Sequence, residues 1–136
     1  MIKTETTIRV RYGETDQMGY VYYGAYAQYF EVARVEAMRS LGITYREMEE
    51  KGVLMPVIHF EINYKKAALY DDEVRIVTTI KELPYTRITF HSESFNQKNE
   101  LLNTGSVTLV FLDRNKKKPM MSPDWFLKPF EDLFEE

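Results

Sequence analysis

One long amphipathic segment stands among a series of shorter alternating ones, and that imbalance narrows the folds open to this chain. Residues 24–41 place Tyr26, Tyr29, Phe30, Ala33, Ala37 and Leu41 three and four positions apart, so they form a single apolar stripe on a helix. Gly42 follows as the left-handed stop that helices favour just past their ends. At the helical rise, a helix over residues 23–41 would be roughly 28 Å long, enough to cross a small sheet. Much of the remaining chain alternates with period two. Residues 4–12 set Ile8, Val10 and Tyr12 against Thr7, Arg9 and Arg11, the pattern of a half-buried strand.

Four more strands are expected after the helix. Residues 55–65 put Ile58, Phe60, Ile62 and Tyr64 on one face and Val57, His59, Glu61 and Asn63 on the other. Residues 73–82, 86–95 and 101–113 alternate in the same way, with Leu83-Pro84-Tyr85 and residues 96–99 as the turns between them. Thr44 and Glu47 have capping-box spacing ahead of a short helix over residues 44–51. Residues 114–119 read as a basic turn, and Ser122-Pro123 as a helix start, with Pro129 predicting a short or broken terminal helix. The order is strand, long helix, then a four-strand meander. A sheet buried on one face needs a cover, and the long helix is the available one. The expectation is an α+β fold in a single domain, 1–136, with a five-stranded antiparallel sheet wrapped around the helix.

Composition removes several functional classes. The chain has 136 residues, a net charge of −3 and no cysteine, so disulfides, thiolate metal sites and a cysteine nucleophile are out. Apart from Lys116-Lys117-Lys118 it has no basic block, which argues against nucleic acid as a partner. No apolar run approaches the ~20 residues of a membrane span, and residues 1–10 do not read as a signal peptide. A soluble, cytoplasmic domain is expected.

The candidate chemistry lies just ahead of the long helix. His59 and His91 each stand alone on a strand, which does not make a metal site, and none is expected. The serines show no nucleophile elbow, and the glycines match neither a P-loop nor a dinucleotide fingerprint. Glu14 and Asp16 lie on a loop, residues 13–23, with Gly13, Gly19 and the tyrosines Tyr20, Tyr22 and Tyr23. A helix start offers unpaired N–H groups and a positive dipole end, so the amides near Tyr23 and Gly24 could stabilise an oxyanion. A carboxylate nearby could attack a carbonyl or activate water. For Asp16 taken alone, a turn-forming role is the commoner one. Glu31 and Arg34, three apart on the helix, are expected to pair with each other.

Arg11-Tyr12-Gly13-Glu14-Thr15-Asp16-Gln17-Met18-Gly19-Tyr20-Val21-Tyr22-Tyr23, then Tyr26 and Phe30-Glu31-x-Ala33-Arg34, resemble the 4-hydroxybenzoyl-CoA thioesterase family of hotdog-fold acyl-CoA thioesterases. Tyr64 and Ala68-x-x-Asp71-Asp72 continue the likeness, which spans nearly the whole chain. The resemblance implies a hotdog fold whose subunits pair, as a homodimer or homotetramer, to build active sites at their interface. It implies Asp16 as nucleophile or general base on an acyl-CoA thioester and the Tyr23 backbone N–H as carbonyl donor. Met18, Tyr20, Tyr22, Gly24 and, from a partner's strand 55–62, His59 are the candidate substrate-binding residues. No cofactor is implied beyond CoA as part of the substrate. Four positions depart from the family pattern: Tyr23 where many members carry His, Ala25 where Asn or Ser is common, Ala67 for the usual Pro, and Tyr20 for a small aliphatic residue. The alternative is a hotdog protein that binds acyl-CoA or acyl-carrier protein without hydrolysing it. A hotdog dehydratase is a weaker third reading, since neither histidine sits beside a carboxylate in a suitable motif.

Overall fold

In the computed structural model, which describes residues 1–134, the long helix α1 runs over Ala25–Ser40 and Gly42, at φ +82°, ends it as expected. Its buried side is Ala25, Tyr26, Tyr29, Phe30, Ala33, Ala37 and Met38. Arg34 also lies on that side. It does not pair with Glu31 among the described residues; its Nε donates to the Tyr45 hydroxyl at 2.9 Å, because the buried face offers that oxygen while Glu31 points to solvent.

The strands are β1 (Ile2–Arg9), β2 (Val53–Leu54), β3 (Val57–Tyr64), β4 (Glu73–Ile80), β5 (Arg87–Phe95), β6 (Leu101–Asp113) and β7 (Lys118–Met120). The expected five form one antiparallel sheet in the order β3-β6-β5-β4-β1, and the sheet curls around α1. Short β2 and β7 extend it by pairing on either side of the far end of β6. The basic turn therefore closes at residue 117, and Lys118 and Pro119 belong to a strand.

The meander is corrected. β3 does not neighbour β4; it lies at the far edge beside β6, and residues 65–72 cross over to reach β4 next to β1. Alternation specifies which side of a strand is buried but says nothing about its neighbour. A second correction concerns Val57. A bulge sets Val57 opposite Leu109 and Phe60 opposite Val107, so Val57 shares the helix-side face with Phe60. Tyr12 also leaves the strand pattern, because residues Tyr12–Glu14 form a 3-10 turn and its ring points outward.

The core is the space between α1 and the sheet. Val74, Ile76, Thr78 and Ile80 of β4 and Val107, Leu109 and Phe111 of β6 are buried there. A short helix α2 (Tyr45–Glu50) is capped by Thr44, whose Oγ1 accepts from Glu47 N–H at 3.1 Å. The terminal helix α3 (Asp124–Phe134) passes through Pro129 unbroken, so of the two forms expected it takes the short one, of 11 residues. Buried Phe126 and Phe130 hold it: Phe126 packs edge-on against Phe111 at 5.1 Å and lies 5.2 Å from Phe130. No helix among the described residues is long and apolar enough to cross a membrane.

Candidate active site

The loop ahead of α1 is held by main-chain bonds on both sides. Asp16 N–H donates to Tyr20 O at 2.8 Å and Gly19 N–H to Asp16 O at 3.0 Å, which closes a tight turn with Gly19 at φ +79°. Thr15 bridges Val21 within the loop, and Tyr20 bridges Leu69 of the crossover, where Val21 N–H also donates to Ala68 O at 2.8 Å. The crossover after β3 is therefore a wall of the site.

Asp16 makes the turn with one oxygen of its carboxylate. Its Oδ1 accepts from Met18 N–H at 2.9 Å and Tyr20 N–H at 3.2 Å, the Asx-turn anticipated for such a residue. Oδ2 has no hydrogen-bond partner among the described residues. The turn thus occupies one oxygen of the carboxylate and leaves the other without a protein partner among the described residues.

The helix start supplies the donors. Ala25 N–H bonds Tyr22 O at 2.9 Å, and Tyr26 N–H reaches Tyr23 O at 3.4 Å. The Tyr23 and Gly24 N–H groups find no acceptor among the described residues, as the first amides of a helix commonly do not. Tyr64 at the end of β3 fixes this corner, its hydroxyl donating to Tyr23 O at 3.2 Å. Gly24 leaves room for the exposed Tyr22 ring: a Cβ there would lie 2.6 Å from Tyr22 Cε1, so a larger residue would make that ring swing aside.

Two depressions meet at Asp16. A cleft of about 350 Å³ is lined by Asp16, Met18, Tyr20 and Tyr23, together with Tyr26, Tyr64, Lys65 and Lys66. A smaller notch of about 240 Å³ on the other side is lined by Asp16, Glu14, Tyr22, Gly24 and Gln28. The expected residues are therefore split. Met18, Tyr20 and Tyr23 share the larger cleft with Asp16, whereas Tyr22 and Gly24 face the notch. Tyr26 closes the cleft from α1; burial, and next the neighbouring Tyr64, push its hydroxyl up to about 12, so it stays protonated.

His59 lines neither depression. It stands exposed on β3 with its Nε2 3.4 Å from Glu61 Oε2. Lys116 and Lys117 lie in the turn before β7, away from the cleft. Residue-type reasoning missed Tyr64, Lys65 and Lys66, since nothing in a strand pattern says which loop its end will meet. Two larger depressions, about 460 and 440 Å³, involve Lys81 and His91 on the outer side of the sheet, and neither includes a carboxylate set against a helix start. No cluster of three metal-ligating side chains occurs among the described residues.

A curled antiparallel sheet around a helix, with a carboxylate loop at the helix start, defines a class that comparison with known proteins identifies. Residues 10–130 match the family model of the Thioesterase-like superfamily. The chain belongs to that family. A putative acyl-CoA thioesterase of Bacillus subtilis, YneP, is 35% identical over 122 residues, which is 87% of this chain and 88% of that protein. The acyl-CoA thioester hydrolase YbgC of Escherichia coli is 31% identical over 124 residues, covering 91% and 92% of the two chains. Among solved structures, a DHNA-CoA thioesterase from Staphylococcus aureus superposes with a TM-score of 0.92 at 37% identity, over 99% of this chain and 93% of that one.

Proposed function

We propose that this protein hydrolyses acyl-CoA thioesters to a free acid and CoA, with Asp16 as the reacting carboxylate. One observation supports this reading: Asp16 Oδ2 and the amides of Tyr23 and Gly24, all without hydrogen-bond partners among the described residues, belong to one corner of the fold. A thioester carbonyl accepting from the Tyr23 N–H is polarised at the point where negative charge develops. As general base, Asp16 takes a proton from water while the oxygen attacks the carbonyl carbon. The tetrahedral oxyanion is held by the helix amides, the C–S bond breaks, and the thiolate leaves as CoA. As nucleophile, Asp16 displaces the thiolate itself, and water then cleaves the mixed anhydride. The acyl group fits the aromatic cleft formed by Tyr20, Tyr23, Tyr26 and Tyr64 beside Met18. Lys65 and Lys66 at its rim suit the CoA phosphates, although Lys66 already pairs with Glu100.

The relatives' acyl-CoA activities support this reading over the alternative of binding without hydrolysis. Thiol release measured across a panel of short, long and aromatic acyl-CoAs is the test. Turnover of at least one is expected, and tight binding without release of any would favour the non-hydrolytic alternative. An acyl-carrier-protein thioester belongs in the same panel.

The functional unit is a dimer or a tetramer. β3 pairs only with β6 among the described strands, and Val57, Ile58, Phe60 and Tyr64 along it are all exposed. An unpaired edge carrying large apolar side chains calls for a second copy to cover it. Such a copy would bring its β3, with His59, towards the cleft. Ile58→Glu is expected to halve the mass seen by light scattering and to lower turnover at dilute enzyme. An unchanged mass would place the interface elsewhere.

A further inference from the structure

The reaction above leaves Glu14 unused, yet Glu14 is the most heavily bonded side chain of the loop. Its Oε1 accepts from the Arg11 N–H and from the Tyr29 hydroxyl, each at 2.8 Å, and its Oε2 from Arg11 Nε at 3.3 Å. Its own carbonyl accepts from Tyr22 N–H at 2.8 Å. The side chain is only 13% exposed. Burial alone would raise its pKa; the bonds from the Arg11 backbone, Tyr29 and the Arg11 side chain outweigh burial and hold the carboxyl below its usual range. Burial first, and then the bond to Glu14, raise the Tyr29 hydroxyl, so a charged acceptor faces a protonated donor.

This arrangement answers a mechanical problem in the site. The carboxylate of Asp16 belongs to the loop, while the amides of Tyr23 and Gly24 belong to the start of α1. Between them runs a turn whose tip is exposed at Met18 and flexed at Gly19. Glu14 joins the two parts twice, by main chain to Tyr22 just before the helix and by side chain to Tyr29 one turn inside it. We propose that Glu14 is a positioning residue for the hydrolysis: its bond to Tyr29 clamps the Asp16 loop to α1, so that carboxylate and amide donors converge on one thioester carbonyl. The proposal rests on the reading of Asp16 as the reacting group. A misplacement of about 1 Å in such geometry can cost on the order of a hundredfold in rate.

Tyr29→Phe removes only the donor oxygen, and Glu14→Gln removes only the charge. Each is expected to lower kcat about tenfold or more, with KM for the same acyl-CoA within about twofold and little change in melting temperature. The double variant should be no slower than the slower single one, because the charge lost in Glu14→Gln acts on the same bond that Tyr29→Phe removes. An unchanged kcat in Tyr29→Phe, a loss confined to KM, or losses that multiply in the double variant would each overturn the proposal. Should Glu14→Gln not fold, Tyr29→Phe decides alone. Asp16→Asn, run alongside, separates the two readings: full activity there removes the reading of Asp16. An inactive Asp16→Asn beside a fully active Tyr29→Phe removes only the clamp.

Discussion

Asp16→Asn is expected to cut thioester hydrolysis at least about a hundredfold, the scale on which a lost acid–base or nucleophilic group is felt, and to leave folding intact. The separation of the two effects follows from the division of labour within the carboxylate. Oδ1 accepts from Met18 and Tyr20 N–H, and an asparagine carbonyl oxygen takes over that duty without moving. Oδ2, the oxygen left for substrate or water, becomes an NH₂ group that neither accepts a proton at neutral pH nor attacks a carbonyl. Steady-state kinetics on the best acyl-CoA, with circular dichroism melting beside it, makes the measurement. Wild-type turnover in the variant would remove Asp16 from the mechanism. Asp16→Ala is the less informative change, because it also loosens the turn over residues 16–20.

Phe30→Ala should lower stability by about 3–5 kcal/mol, the range for emptying a buried phenylalanine site. Phe30 is 2% exposed and reaches from α1 to both β3 and β6. Its ring lies 6.0 Å from that of Phe60 on β3 and 6.2 Å from that of Tyr26. On β6, Gly105 makes room for it: a Cβ there would stand 2.8 Å from Phe30 Cε2 and 2.8 Å from the Glu61 carbonyl oxygen. Gly105→Ala is therefore an overpacking change, expected to cost about 1–3 kcal/mol, and combining it with Phe30→Ala relieves only half of the clash because the Glu61 backbone remains. Urea titrations of the two single variants and the double provide the check. A loss below about 1 kcal/mol for Phe30→Ala would mean that the helix does not rest on the sheet at this point.

The family motif around Asp16 was legible in the sequence because the loop is local: Gly19, Asp16 and the first residues of α1 lie within a dozen positions and bond mainly to one another. The unbonded amides at Tyr23 and Gly24 follow from any helix start, so their availability too could be anticipated. The clamp between Glu14 and Tyr29 was less accessible, since fifteen positions of chain must first fold back before the hydroxyl meets the carboxylate.

Other features were decided only when the elements packed. Pro129 left α3 open to being short or broken; it stays whole because burying Phe126 against Phe111, with Phe130 beside Phe126, offsets the missing hydrogen bond. Arg34 left its helical neighbour Glu31 for Tyr45 because it lies on the buried side, where the Tyr45 hydroxyl is within reach and the exposed Glu31 is not.

By itself, the sequence determined the main elements and most of their faces: the 3.6-residue stripe of α1, the five period-two strands, the stop at Gly42 and the cap at Thr44. It also carried the Asp16 loop, whose geometry is written in short-range hydrogen bonds. The tertiary structure alone decided that β3 lies at the far edge beside β6, that residues 65–72 cross back along the Asp16 loop, and that Tyr64, Lys65 and Lys66 thereby become a wall of the cleft. The reason is physical. Periodicity records which side of a segment avoids water, whereas the choice of neighbour depends on contacts between residues far apart in the chain, and no single segment carries a record of them.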